Sequence, residues 1–252
     1  MRGLQGKTIL VAGGAGGIGT ATSSRLGVEG AHVVVGDLDG EAAQGVAKQI
    51  EGDGGTAIGT ALDISDESSI KAFVDLAVST YGGIDGLHGN AADMGAIRSD
   101  TGVADIDLDV FDRTQAVNVR GHLVCTRHAL PHLLERRGAV VYTTSAAAFV
   151  GEPERVAYAI SKAGINALVR HVASKYGREG LRANAVAPGL VLTETAKANV
   201  SSEFREFAKA ATRSDRLGDP ADIAAMVAFL LSDDGAWING QVISVDGGAT
   251  LR

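Results

Sequence analysis

Short apolar runs alternate along the chain with longer segments in which apolar residues recur at helical spacing. Runs of this length, rich in β-branched residues, are typical of strands buried on both faces. The predicted strands are 7–13, 31–36, 56–62, 84–89, 139–144, 183–187 and 242–245. The predicted helices are 14–28, 41–51, 67–81, 110–137, 156–176 and 222–231. This alternation predicts an α/β fold with a doubly wound, seven-stranded parallel sheet and helices on both faces.

No change in composition marks a linker within the 252 residues, so we predict a single domain over 1–252. Hydrophobic residues at 45% and charged residues at 21% are ordinary for a chain with a substantial core. Residues 190–216 form a long connection, which we expect to act as a lid over a substrate. An amphipathic helix is indicated within it by Phe204, Phe207, Ala208 and Ala211.

The net charge of -7 argues against nucleic acid or an anionic membrane as a partner. The single cysteine, Cys125, rules out an internal disulfide and fits a reducing compartment. No basic, apolar leader begins the sequence and no apolar run reaches 18 residues, so we expect a soluble, cytoplasmic protein. His128 and His132 have the i, i+4 spacing of metal ligands, but no third ligand accompanies them, and we predict no metal site.

A glycine cluster stands between the first predicted strand and the first helix. Gly14, Gly16 and Gly19 satisfy the common dinucleotide fingerprint, and Gly13, Gly17 and Gly19 satisfy a variant with a wider first spacing. In either register the turn lacks side chains, so a pyrophosphate can approach the amides at the helix N-terminus. A tight turn alone would also use glycine, but the flanking strand and helix favour a dinucleotide site.

Asp37 follows the second predicted strand, 18 residues after Gly19. A carboxylate there can accept hydrogen bonds from the adenosine ribose hydroxyls, whereas a 2′-phosphate would meet a like charge. No Arg or Lys lies in 13–19 or immediately after Asp37 to compensate. We therefore predict NAD (NAD+/NADH) as the cofactor in preference to NADP, although an Asp in this position can also serve a surface turn.

Tyr158 and Lys162 lie four residues apart in a predicted helix, on one face, and follow the strand that ends near Ser145. A tyrosine is a poor base because its ordinary pKa is about 10, and lowering it by about three units needs roughly 4 kcal/mol. One ammonium supplies too little, and a cationic nicotinamide ring would add the second charge. We predict Tyr158 as general acid/base, with the Ser145 hydroxyl donating to the substrate oxygen.

Further polar and glycine positions occur in a characteristic order, and together they are specific. They are Gly13, Gly17, Gly19, Asp63, the Asn90-Ala91 segment, Asn118, Ser145, Tyr158, Lys162, Asn184, Pro188-Gly189 with Thr193, and Val245-Asp246-Gly247-Gly248. In these features the chain resembles the short-chain dehydrogenase/reductase family along nearly its whole length. The resemblance implies a Rossmann-type sheet and hydride transfer between a nicotinamide cofactor and a carbonyl or alcohol.

The resemblance also implies roles for single residues. Lys162 would hold the nicotinamide ribose and lower the pKa of Tyr158, and Asn118 would anchor a water relay behind Lys162. Assembly as a homotetramer or homodimer would use the helices over 110–137 and 155–177. The family usually has Thr where Ala12 stands, and Asn-Asn-Ala-Gly where this chain has Gly89-Asn90-Ala91-Ala92. Hydrogen bonding between strands one and four is therefore expected to differ.

Asp63 and Asn90 end the third and fourth predicted strands, where they serve either the cofactor or a local turn. With them, the candidate cofactor-binding residues are Gly13, Gly16, Gly17, Ile18, Gly19, Asp37, Leu38, Asp63, Ile64, Asn90, Ala91, Tyr158, Lys162, Pro188, Gly189, Val191 and Thr193. The candidate catalytic residues are Asn118, Ser145, Tyr158 and Lys162.

The substrate pocket is expected between 92–95, 146–151 and 190–195, which carry few charges. The candidate substrate-contacting residues are Met94, Ala147, Phe149, Val150 and Leu190. This apolar set predicts a secondary alcohol or ketone of steroid, terpenoid or alicyclic type. Two alternatives stay open. A 3-oxoacyl thioester reductase would use Arg98, Arg205 and Lys209 for an acidic carrier. A dinucleotide-binding sensor without turnover would share only the cofactor site.

Overall fold

Seven parallel strands form one sheet in the order β3-β2-β1-β4-β5-β6-β7 in a computed structural model that describes residues 1–251. The strands are β1 (Thr8–Ala12), β2 (His32–Asp37), β3 (Thr56–Ala61), β4 (Gly86–Gly89), β5 (Ala139–Thr143), β6 (Arg182–Pro188) and β7 (Val242–Val245). All six neighbouring pairs are parallel. The predicted fold class, a single Rossmann-type domain with a doubly wound sheet, is confirmed.

Nine α-helices lie within the described part of the chain. They are α1 (Gly17–Val28), α2 (Gly40–Gly52), α3 (Glu67–Tyr81), α4 (Leu108–Gln115), α5 (His122–Arg136), α6 (Val156–Tyr176), α7 (Glu194–Asn199), α8 (Ser202–Ala211) and α9 (Pro220–Leu231). The single helix predicted over 110–137 is divided, because a π-helical segment, Ala116–Gly121, separates α4 from α5. The long connection after β6 contains two short helices, α7 and α8, where the sequence indicated one.

The apolar strands are buried because helices cover both faces of the sheet. On one face, α3, α5 and α6 pack over a core that includes Phe73, Tyr142 and Ile165. On the other face, α1, α2 and α9 bury Leu26, Ile50, Val227 and their neighbours. With no water-facing side, the strands need no polar alternation.

The strand order reverses between β1 and β4, which are neighbours although β2 and β3 intervene in the sequence. In open parallel sheets a ligand crevice forms at such a point, outside the carboxyl ends of the strands. Ala12 of β1 lies in register with Gly89 of β4 at this edge. The Ala12 carbonyl accepts hydrogen bonds from the amides of Asn90 (2.9 Å) and Ala91 (2.8 Å), which join the two strand ends.

Among residues 1–251, no helix is long and apolar enough to cross a bilayer. The same residues contain no group of three or more His, Cys, Asp or Glu side chains arranged to hold a metal ion. His128 Nε2 lies 3.0 Å from a carboxylate oxygen of Glu67, so this histidine pairs with α3. Cys125 is a buried free thiol in α5.

Candidate functional site

The turn between β1 and α1 leaves no room for side chains on its protein side. Gly13 has a φ of +81°, and a Cβ there would lie 2.6 Å from the Ala91 amide nitrogen. A Cβ at Gly19 would lie 1.9 Å from the Gly13 carbonyl oxygen. At Gly16, the N-cap of α1, a Cβ would meet nothing within 4 Å. The turn is therefore closely packed beneath and open above Gly16, as a phosphate cradle requires.

Asp37, at the end of β2, is tied to the glycine turn. Its Oδ2 accepts a hydrogen bond from the Ala15 amide at 3.0 Å, and its Oδ1 accepts one from the Asp39 amide at 3.3 Å. The next residue, Leu38, is largely exposed. The neighbouring charge, Asp39, is also negative, and its side chain caps α2 through the Ala42 amide. This corner of the crevice is therefore anionic.

Asn90, directly after β4, connects three strands. Its Nδ2 donates to the Gly13 carbonyl at 2.9 Å, and its Oδ1 accepts from the Thr143 hydroxyl at 2.9 Å. His88 Nε2 lies 2.9 Å from the same hydroxyl. Burial lowers the pKa of His88 to about 3, so the ring is neutral. The Thr143 hydroxyl donates its only proton to Asn90, so toward His88 it can act only as an acceptor. The Nε2–H of His88 therefore donates to the Thr143 hydroxyl.

His88 and Thr143 were not predicted as site residues. Both stand inside runs that are otherwise apolar, and a polar residue within a buried strand needs a partner. That requirement was a usable signal. It could not identify the partner, because the two side chains are 55 residues apart and meet only through the pairing of β4 with β5.

The remaining cofactor candidates lie along the same edge. The Asp63 carboxylate accepts hydrogen bonds from the amide (2.9 Å) and the hydroxyl (2.6 Å) of Ser65, which is a local turn. Ile64 is buried, and Ile18 packs against the core on the α1 side of the sheet. The Thr193 hydroxyl caps α7, accepting from the Ala196 amide at 3.0 Å.

The segment after β6 covers the glycine turn. Pro188 is the last residue of β6, and Gly189 follows it, packed against Asp246. Val191 is buried and forms an isolated parallel bridge with Gly218. A Cβ at Gly17 would lie 2.5 Å from the Thr193 methyl group, so Thr193 lies directly against the start of α1.

Tyr158 and Lys162 lie one turn apart on α6, as predicted. The Lys162 Nζ is 5.5 Å from the centroid of the Tyr158 ring. It donates to the Thr143 carbonyl at 2.9 Å, and the Thr144 hydroxyl donates to the Lys162 carbonyl at 2.9 Å. These two bonds fix α6 against the end of β5.

The Ser145 hydroxyl, just after β5, forms a hydrogen bond with the phenol of Tyr158. Ser145 Oγ also accepts from the Ala147 amide at 3.2 Å. The end of a strand and the next helix therefore bring a hydroxyl, a phenol and an ammonium together.

Desolvation dominates the electrostatics of this cluster. It raises the pKa of Tyr158, and the hydrogen bond with Ser145 and the charge of Arg155 act in the opposite direction without outweighing it. Burial lowers the pKa of Lys162 to about 8. The protein's own groups therefore leave the pKa of Tyr158 above its ordinary value. A further positive charge is needed to make the phenol a base near neutral pH.

Asn118 is fully buried within the π-helical segment. Its Oδ1 accepts from the Asp93 amide at 2.8 Å, and its Nδ2 donates to the Ser161 hydroxyl at 3.1 Å. Ser161 in turn donates to the Tyr158 carbonyl at 2.7 Å. Because π-helical segments often occur at functional sites, the local backbone of α4–α5 is a second indication that Asn118 is important.

The substrate-side candidates differ in exposure. Ala147 is buried in a short 3₁₀ turn (Ala146–Ala148), whereas Met94 and Val150 are exposed. Phe149 and Leu190 are half-buried. Phe204 and Phe207 of α8 are also exposed, and their rings lie 6.2 Å apart. These candidates and the exposed face of α8 are therefore mainly apolar.

Two of the basic residues considered for an acidic carrier are engaged within the protein. Arg98 donates to the Asn199 side chain of α7. Arg205 donates to the carbonyls of Lys197 and Val200. Their guanidinium groups hold the segment after β6 together.

Comparison with known proteins agrees with this geometry. A family model described as enoyl-(acyl carrier protein) reductase matches residues 13–250. A probable short-chain type dehydrogenase/reductase from Bradyrhizobium diazoefficiens is 40% identical over 245 residues, covering 97% of this chain and 87% of the relative. A 3-oxoacyl-[acyl-carrier-protein] reductase from Thermotoga maritima is 33% identical over 249 residues, covering 98% of this chain and 99% of the relative.

Among solved structures, a 7α-hydroxysteroid dehydrogenase complexed with NADH and 7-oxo glycochenodeoxycholic acid superposes with a TM-score of 0.91. It is 32% identical, and the match covers 98% of this chain and 95% of that chain. Such identities over nearly complete chains, together with the glycine turn and the cluster around Tyr158, establish kinship. The chain is a member of the short-chain dehydrogenase/reductase family of oxidoreductases.

Proposed function

We propose that the protein is an NAD(H)-dependent dehydrogenase that interconverts a secondary alcohol and a ketone on an apolar substrate. The observation that carries the proposal is the cluster of Ser145, Tyr158 and Lys162 beside the glycine turn. Polarising hydroxyl, acid/base phenol and ammonium are the groups needed to move one proton at one substrate oxygen.

The glycine turn supports the binding of a dinucleotide. Gly13 and Gly19 cannot carry side chains, and the space above Gly16 is open at the N-terminus of α1. The chemistry supplied by a bound nicotinamide dinucleotide is the uptake or return of the substrate hydride. Burial raises the pKa of the Tyr158 phenol, and the positive ring of an oxidised nicotinamide would act in the opposite direction.

During oxidation, Tyr158 Oη takes the proton of the substrate hydroxyl while the Ser145 hydroxyl donates a hydrogen bond to the same oxygen. The Lys162 ammonium stabilises the resulting phenolate, and it would hold the ribose of a bound cofactor. During reduction, Tyr158 returns the proton to the carbonyl oxygen. The Ser145 hydroxyl is already in place before negative charge develops on the substrate oxygen. No free energy is then needed to reorient this donor during the reaction.

The preference for NAD over NADP rests on the anionic corner at Asp37. A 2′-phosphate would meet the carboxylates of Asp37 and Asp39, and Leu38 between them carries no positive charge. Like charges brought together in this way cost several kcal/mol. Because NAD pools in cells are largely oxidised, this preference favours oxidation of the alcohol.

A substrate with an apolar body is supported by Met94, Val150 and the paired rings of Phe204 and Phe207. The steroid ligand of the structural neighbour belongs to the same chemical class. The relative from Thermotoga maritima keeps 3-oxoacyl thioester reduction as the second candidate. The internal hydrogen bonds of Arg98 and Arg205 disfavour that candidate, because an acidic carrier would need free cations.

The test is nicotinamide absorbance over a panel of steroid, terpenoid and alicyclic alcohols with NAD, for the wild type, Tyr158→Phe and Tyr176→Phe. Tyr176 lies at the far end of α6 and is the matched control. We expect turnover in the wild type and Tyr176→Phe and its loss in Tyr158→Phe, with NADH binding retained. Reduction of acyl thioesters with NADPH alone would support the alternative reductase. NADH binding without any turnover would indicate a sensor.

Three further expectations belong to the same proposal. Residues 190–216 act as a lid, and the domain extends over 1–252. Assembly as a homotetramer through 110–137 and 155–177 is supported by Leu123 and Ile160, which are exposed apolar residues on these helices. Analytical ultracentrifugation tests the assembly. A cytoplasmic location remains a prediction from the sequence.

A further inference from the structure

The helix that carries Tyr158 begins in an unusual way. The residue before it, Arg155, adopts a left-handed conformation with φ +62°, which is costly for a residue with a side chain. No side chain at this N-cap position accepts a hydrogen bond from the first turn. The free amides of a helix start need acceptors, so they must find them elsewhere.

A carboxylate from a distant loop supplies those acceptors. Asp100 is only 5% exposed, and its Oδ1 accepts from the Ala157 amide at 3.0 Å. Its Oδ2 accepts from the amide of Tyr158 itself at 2.8 Å. The loop backbone adds two bonds, from the Arg155 amide to the Asp100 carbonyl and from the Val156 amide to the Thr101 carbonyl. Asp100 therefore caps α6 from 58 residues away in sequence.

The same loop is also held at its other end. The Asp93 amide donates to Asn118, and the Asp93 carboxylate accepts from the Gly95 and Ala96 amides and from Arg113. Residues 93–100 thus run from the helix segment that holds Asn118 to the start of α6. The segment from 92 to 95 is also the expected wall of the substrate pocket.

We propose that Asp100 is a positioning residue for the general acid/base Tyr158. Its carboxylate holds the Tyr158 amide, which fixes the first turn of α6 despite the strained residue before it. The phenol is thereby kept within hydrogen-bond reach of Ser145. This inference rests on the proposed function, because it assigns to Asp100 an effect on the proton transfer that Tyr158 performs.

The contacts that fix the start of α6 also place the groups that act on the phenol. The charged groups facing Tyr158 are Lys162 on the same helix and the ion pair of Arg155 with Glu152, whose closest atoms are 2.5 Å apart. Arg155 and the Ser145 hydroxyl both lower the pKa of Tyr158. A variant in which the first turn of α6 is displaced loses these effects, so the acidic limb of the pH profile for oxidation should move to higher pH.

The test compares Asp100→Ala, Asp100→Asn and the control Asp105→Asn. Asp105 is an exposed residue of the same loop. We expect kcat of Asp100→Ala to fall about 10- to 100-fold, the order of loss caused by a misplaced reacting group. KM for NAD and the affinity for NADH should change less than about twofold. Asp100→Asn should recover part of kcat, because its amide oxygen still accepts one of the two bonds.

Hydrogen exchange measured by mass spectrometry adds a readout independent of activity. Peptides covering the first turn of α6 should exchange faster in Asp100→Ala, while peptides from β1 and α9 should not change. Faster exchange with unchanged kcat and an unmoved pH profile would overturn the positioning role, and so would a loss of kcat that follows only the folded fraction. Wild-type protein without turnover would overturn the proposed function itself, so the two failures are distinguishable.

Discussion

Lys162 is a buried cation, and the fold is predicted to be less stable because of it. The side chain is 2% exposed, and the one hydrogen bond of its ammonium within residues 1–251 is to the Thr143 carbonyl. Burial lowers its pKa from 10.5 to about 8. At 1.36 kcal/mol per pKa unit, a fall of this size corresponds to a destabilisation of about 3 kcal/mol near pH 7.

The perturbation is Lys162→Met, which keeps an unbranched side chain and removes the charge. The gain of about 3 kcal/mol is reduced by the lost charge-assisted hydrogen bond to Thr143, about 1.5–3 kcal/mol. We therefore expect the variant to be more stable at pH 7, by up to about 1.5 kcal/mol. For a chain of this length that is a rise in Tm of up to about 5 °C. Turnover should be lost at the same time, since the phenolate loses its nearest cation.

The pH dependence gives the sign of the effect. Below pH 8 both the folded and the unfolded protein bind the Lys162 proton, so the full penalty is present. Between about pH 8 and 10.5 only the unfolded chain keeps the proton, and the wild type gains stability as the pH rises. The advantage of Lys162→Met should therefore shrink from pH 7 to pH 10. Differences between variants are needed, because burial raises the pKa of Cys125 to about 12 and acts in the opposite direction.

The assay is urea unfolding of the wild type, Lys162→Met and Lys175→Met at several pH values from 7 to 10. Lys175 is exposed on the same helix, and its substitution should change stability little at any pH. A Lys162→Met variant that is less stable than the wild type at pH 7 would refute the reasoning. A stability difference that stays constant from pH 7 to 10 would refute it as well.

Two further predictions concern the cofactor site. Asp37→Arg should shift the ratio of kcat/KM values from NAD toward NADP by at least about 100-fold, because a repulsion of several kcal/mol becomes an attraction; a ratio that stays unchanged in steady-state kinetics would exclude Asp37 as the determinant. Gly19→Ala should abolish NADH binding in a fluorescence titration, because its Cβ would lie 1.9 Å from the Gly13 carbonyl oxygen. The control Gly45→Ala, where a Cβ would meet nothing within 4 Å, should bind NADH normally and gain about 0.5–1 kcal/mol of stability. Normal NADH binding by Gly19→Ala would contradict the close packing of the turn.

The sequence predicted the limits of helices and strands best where residues at their ends, such as helix caps, mark those limits. The limits predicted for α3, α6 and β7 are those of the structure. For α3 the reason is local, because Asp66 caps the start and Gly82, with φ +76°, ends the helix. Strand ends differ by one or two residues elsewhere. The pairing partner decides where a strand ends, and the apolar pattern of a single strand does not contain that information.

The spacing of apolar residues could not predict the π-helical segment around Asn118. One wide turn shifts the apolar pattern by a single position, and the shift is lost within a helical run from 110 to 137. In the structure this segment lies very close to the residues that follow β3. A Cβ at Gly121 would lie 2.6 Å from the Ile64 carbonyl oxygen, so the helix meets the segment after β3 without a side chain between them.

Asp100 shows a second limit of the sequence. An Asp between Ser99 and Thr101 in a loop is typical of a turn, and nothing beside it in the sequence indicates that it caps a distant helix. Its role depends on the loop after β4 meeting the start of α6, which is a tertiary contact. The catalytic residues were recognisable because their chemistry restricts residue type and spacing. A residue that positions the catalytic residues needs only the right location in the folded protein, and the sequence does not show that location.

The departure from the family pattern at Gly89 is explained by what surrounds it. A Cβ at Gly89 would lie 2.8 Å from His122 Nδ1 and equally close to the Tyr142 ring, so an asparagine is excluded there. His122 Nε2 lies 2.8 Å from the Ala91 carbonyl, and burial lowers its pKa to about 4, so this neutral ring acts as a donor to the loop. Strands one and four need no side-chain bond at these positions, because the Ala12 carbonyl already accepts two amides. The polar connection beneath the cofactor site runs instead through Asn90, from the Gly13 carbonyl to the Thr143 hydroxyl.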